Sequence, residues 1–175
     1  MLVTRNALAV IMIIFAAGEF RSCSGFSRDD EQLLDQHGGV FVPSGEGPLV
    51  RATPVDAVSF KAEKHLDDKE FATVFPAIQK MDPLRLHLDG QSLLTDQSID
   101  LINQLTSLRI LVVKQTGMTA SGLKRLQLKE LKVLELSPGQ TSASELEELR
   151  TALPGVEISG VKSEQKVPTT SRRSS

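Results

Sequence analysis

Tryptophan and tyrosine are absent from the 175 residues, and all seven phenylalanines lie before residue 76. Beyond that point a core must be built from aliphatic side chains, and no surface there can offer the large aromatic anchors that dominate tight interfaces. A single cysteine, Cys23, excludes an internal disulfide and a thiolate metal cluster, so stability must come from packing. Net charge is small as well, −2 overall, and no stretch is basic enough for a nucleic-acid-binding domain. Arg172 and Arg173 stand in a Ser/Thr-rich end that reads as a solvated tail. No apolar run is long: Ala7 to Ala17 is 11 residues, bounded by Arg5 and Glu19, against the roughly 20 that a membrane-crossing helix needs.

That run follows one arginine and precedes Ala16-Ala17-Gly18, which has the charge, apolar centre and small residues of a secretory signal. Residues 1–18 are read as a signal peptide cut before Glu19 or, if retained, as an N-terminal membrane anchor. Lipidation at Cys23 is disfavoured because Arg21 stands where a small or aliphatic residue is wanted. An exported location is therefore expected, whether periplasmic, secreted or envelope-associated, ahead of a cytoplasmic one. Residues 19–55 contain Gly38-Gly39, Pro43, Gly45, Gly47 and Pro48 without a sustained period, and are read as a flexible linker. Within them Asp29 to Gln36 has helical character, but Leu33 and Leu34 alone bury too little to hold a helix. Gly45-Glu46-Gly47-Pro48 is no phosphate loop, since no Lys-Ser/Thr follows and proline would break the helix behind it. With 161–175 read as a disordered tail, the folded domain is expected at 56–160.

Leucine is what the chain has in abundance: 18 of 24 fall between Leu84 and Leu153. Their spacing repeats. Leu105, Leu108, Leu111, Val113, Thr116, Met118, Leu123 and Leu126 recur as Leu128, Leu131, Leu134, Leu136, Gly139, Thr141, Leu146 and Leu149, every one at a shift of 23 residues. Looser copies run back to Val58. Each unit opens with two aliphatics separated by one residue (Val58/Phe60, Leu86/Leu88, Leu111/Val113, Leu134/Leu136 and lastly Val156/Ile158), the signature of a short strand with one buried face. Apolar residues at three- and four-residue steps follow, as on one side of a helix. Asp67-Asp68 and Thr95-Asp96 stand where such helices would be capped.

The pattern Leu-x-x-Leu-x-x-Leu-x-Val-x-x-Thr-x-Met-Thr-x-x-Gly-Leu-x-x-Leu at 105–126 resembles that of bacterial leucine-rich-repeat proteins. The resemblance implies an α/β solenoid of about four strand-turn-helix units with a short parallel sheet and a closing strand at Val156 to Ile158. The family's ladder-forming asparagine is replaced by Gln91, Thr116 and Gly139, the last having no side chain to offer a neighbouring loop. Pro76 falls inside the first helical stretch and should kink or shorten it, so that unit is read as a cap.

On the concave sheet face that the resemblance implies, the residue between each buried pair points outward. Ser59, His87, Val112, Glu135 and Glu157 would form one row, flanked by Lys61, Asp89, Lys114, Ser137 and Ser159, with Arg85 and Ile110 before them. Arg85, His87, Asp89, Lys114 and Glu135 are the candidate binding face, for an unidentified protein or peptide. His87 beside Asp89 or Glu135 is the only acid–base pairing in view, without a matched nucleophile, and the chain is read as a non-enzyme. His37, His65 and His87 are too scattered for a metal-binding spacing, and Glu145, Glu147 and Glu148 suit the first turn of a helix. No cofactor or metal is expected, and the chain is expected to be a monomer. The expectation is an exported, non-catalytic protein–protein interaction module. The alternative is an envelope protein anchored by its N-terminus, with the repeats as a spacer.

Overall fold

A computed structural model describes residues 27–43 and 55–160. The expected signal at 1–18, Cys23, the Gly45 to Pro48 stretch and the tail at 161–175 lie outside the described residues.

The expected α/β architecture is observed as one open six-stranded sheet whose strands lie side by side in sequence order, beginning with β1 (Gly39–Pro43). Strands β2 (Val55–Phe60), β3 (Arg85–His87), β4 (Ile110–Val112), β5 (Val133–Glu135) and β6 (Glu157–Ser159) pair in parallel. Parallel neighbours need a crossover. Helices supply it: α2 (Asp68–Met81), a 3-10 turn at Asp96–Ser98 leading into α3 (Ile99–Ile102), α4 (Ala120–Leu123) and α5 (Ala143–Ala152). The register sets Val58, Leu86, Leu111 and Leu134 side by side, all fully buried. These residues and the inward faces of the helices, among them Phe71, Ile78, Ile99, Ile102, Leu123 and Leu149, make one core.

Both expected caps form. Asp67 accepts from the Glu70 amide while Glu70 accepts in return from Asp67, and the Thr95 hydroxyl accepts from Gln97. The acids that follow the capping residues have a different role. Asp68 accepts from the amide and hydroxyl of Thr95 and from Ser98, and Asp96 accepts from the amide and hydroxyl of Thr119. Each acid thus ties its helix to the next crossover. Burial raises the Asp68 carboxyl pKa, but the hydrogen bonds from Ser98 and Thr95 outweigh it and hold the group below its ordinary value.

Several expectations are corrected. The segment read as linker contains α1 (Arg28–Gln36) and β1 (Gly39–Pro43), the latter antiparallel to β2. Leu34 is 1% exposed, and Ser27 and Asp30 close a capping box. The helix persists because Asp30 also accepts two hydrogen bonds from Lys80 of α2, at 2.8 and 3.0 Å, a contact that no local period announces. The first repeat unit is therefore not the end of the sheet, since β1 lies outside it. Pro76 does not shorten α2, which runs 14 residues through it. Pro76 and Ala72 both face solvent, so water can satisfy the carbonyl whose intrahelical partner the proline removes.

The closing strand is displaced. Ile158, not Val156, lies opposite Leu134, because Pro154-Gly155-Val156 is consumed in the turn that ends α5, with Val156 donating to Leu153. A two-residue shift preserves which side chains face the core, so nothing in the alternation opposes it. Nor is the gap at Gly139 left open. Gln140 accepts from the Ser137 amide and donates to Thr116 and the Met118 carbonyl. Gln91, fully buried, accepts from the Leu66 amide and donates to the Lys61 carbonyl, bridging two neighbouring loops.

Candidate functional site

The sheet carries three of the candidate residues, Arg85, His87 and Glu135, and the turns after β3 and β4 carry Asp89 and Lys114. Alternation places residues on one side two apart along each strand, and the register aligns them across strands. One row reads Val40, Ser59, His87, Val112, Glu135 and Ser159; the other reads Val42, Ala57, Arg85, Ile110, Val133 and Glu157. Through the shift of β6, Ser159 stands in the His87 row expected for Glu157, and Glu157 stands in the row of Arg85 and Ile110. Val112 is only 4% exposed, a correction to its expected place on the surface; it sits between the longer His87 and Glu135.

Of the five candidate residues the structure joins two. The Lys114 ammonium donates to Glu135 Oε2 at 2.5 Å. That hydrogen bond raises the Lys114 pKa against the opposing effect of burial, and the charges of Glu135 and Asp89 add to it. Asp89 thus lies near the pair. Arg85 is held apart from it, its Nε 3.6 Å from Asp56. His87 hydrogen-bonds neither Asp89 nor Glu135 among the described residues, so the acid–base pairing weighed for it is not assembled.

Spacing missed three features. The second row is largely apolar, with Val42, Ala57, Ile110 and Val133 all at least partly exposed and Val42 at 51%. The residue just before each buried strand leucine gave Ile110 and would have given Val133, but Val42 lay in a stretch read as linker. His37 and His65, judged too dispersed, line one cavity of about 160 Å³ with Gln36, Lys64, Leu66 and Glu70. His37 Nδ1 lies 2.9 Å from the Leu33 carbonyl oxygen. An open groove of about 590 Å³ separates α1 from β1, lined by Arg28, Glu31, Gln32, Asp35, Gly39, Val40 and Phe41. Among the described residues no three His, Cys, Asp or Glu side chains are grouped to hold a metal ion, and no helix is long and apolar enough to cross a membrane.

Two rows across a short sheet, one holding His87 and Glu135 and the other setting Arg85 and Glu157 among apolar residues, can contact an extended ligand through several side chains at once. The chain matches no known protein-family model and no curated protein.

Proposed function

We propose that this chain is an exported, non-catalytic interaction module of the leucine-rich-repeat type, binding a protein or peptide through the open sheet face. The observation that carries the reading is the alignment of Arg85, His87 and Glu135 with the apolar Ile110 and Val133 on one face of consecutive strands. The eight-position match at 23 residues supports the repeat assignment, and the segment at 1–18 supports export.

Capture from the compartment in which the chain is found tests the binding face. Lys114→Glu with Glu135→Lys keeps an ion pair while inverting its direction, so melting should be little changed and captured partners should be lost. Partners retained by this variant would remove the sheet face from the reading. Fractionation with N-terminal sequencing tests export: a mature start at Glu19 is expected, and a soluble cytoplasmic chain beginning at Met1 would overturn it.

A further inference from the structure

We infer that the open face accepts a linear peptide lying across the strands, with alternate residues ordered apolar, acidic, apolar, basic from the β1 side to the β6 side. The inference rests on the reading of this face as a binding surface and adds the chemistry of its partner. Along the second row the order is Val42, Ala57, Arg85, Ile110, Val133, Glu157. A cation therefore stands between two apolar pairs, and an anion ends the row. Arg85 and Glu157 are both exposed. Asp56 meets Arg85 at Nε, 3.6 Å away, and a guanidinium has further donors.

The spacing selects an extended ligand. Strands lie about 4.8 Å apart, so Arg85 on β3 and Glu157 on β6 are separated by roughly 14 Å across the sheet. An extended peptide advances about 6.8 Å for each two residues, so side chains four apart on one side span the same distance. An acidic residue over Arg85 then places a basic residue over Glu157, and the residue midway falls between Ile110 and Val133. The residue two before the acid falls between Val42 and Ala57. Charge complementarity at two points gives direction, and the apolar contacts between them give area. With no aromatic anchor on this face, binding is weak and depends on the charges.

The probe is a fluorescein-labelled peptide with valine, glutamate, isoleucine and lysine at alternate positions and threonine between them, together with the same sequence in reverse order. Fluorescence anisotropy with the full chain should show saturable binding of one of the two. Arg85→Gln or Glu157→Lys should weaken it about tenfold or more. The double variant Arg85→Glu with Glu157→Lys should bind a peptide whose glutamate and lysine are exchanged. All three variants should melt near the parent, being changed at exposed positions. Absence of binding of both peptides at millimolar concentration, or affinities within about twofold of the parent in the variants, overturns the inference. If partner capture remains sensitive to the inverted Lys114 and Glu135 pair while both peptides fail, the partner chemistry is wrong and the binding face stands. A concentration-dependent dimer dissolved by Arg85→Glu would give the face to a second copy of the chain and overturn the peptide.

Discussion

At the scale of single residues, polar side chains decide whether neighbouring crossovers fit together. Gln91 is fully buried and bridges the Leu66 amide and the Lys61 carbonyl. Gln91→Ala should cost about 1–3 kcal/mol, because the Leu66 N–H would stay buried without an acceptor. Urea denaturation measures this, and an unchanged midpoint would show that the bridge contributes nothing. Asp82 holds a left-handed backbone, φ 41°, that glycine would adopt more readily. Its carboxylate explains the choice, accepting from Thr106 and from the amide and hydroxyl of Ser107. Asp30 has a pH signature. Burial raises its pKa, but hydrogen bonds from Lys80 and Ser27 and the Lys80 charge lower it further, leaving the folded value below the ordinary 3.8. Its contribution is therefore complete above that pH and is lost as pH falls through the folded value. Asp30→Asn should reduce stability by about 1–2 kcal/mol at neutral pH, a figure kept low by the partly exposed Lys80. The same change should flatten the acid side of the stability profile, which thermal melts between neutral and acidic pH would record.

At the scale of elements, α1 and β1 stand at one end of the sheet, β1 paired with β2 and α1 tied to α2 through Asp30 and Lys80. Each strand pairs only with its sequence neighbours, so loss of the end element need not open the middle. Leu34→Ala should weaken the docking of α1 and speed amide exchange in α1 and β1 by about tenfold or more, with β4 and β5 little changed. Uniform acceleration across all six strands would show instead that the end element is part of one cooperative unit. The short helices α3 and α4 have four residues each, too few to be stable alone. Asp96 binding Thr119, and the buried Ile99, Ile102 and Leu123, account for their presence.

At the scale of the whole molecule, the row of Leu86, Leu111 and Leu134 is the spine that the crossovers cover. Leu111→Ala removes its centre and should destabilise the fold by about 2–5 kcal/mol, with the sheet and helix signals of circular dichroism shifting together. An unchanged melting temperature would contradict the burial of Leu111. The positions of β2 to β5, the α/β alternation and the caps at Asp67 and Thr95 were legible in the sequence, because each follows from a pattern a few residues long. Within the candidate site, the placement of His87, Arg85 and Glu135 on one face was legible for the same reason. The Lys114 to Glu135 ion pair was not, since it joins the turn after β4 to β5, and neither was the burial of Val112 between two longer neighbours.

The amino-acid sequence by itself placed β2 to β5 and most of the side chains that face the core, since alternation and helical spacing act within one unit. The tertiary structure alone decided that α1 and β1 extend the sheet, that β6 pairs through Ile158, and that Val42 joins Ile110 and Val133 in an exposed apolar row. Those outcomes depend on partners tens of residues away, such as Lys80 for Asp30, and on a two-residue register choice that leaves the buried face unaltered.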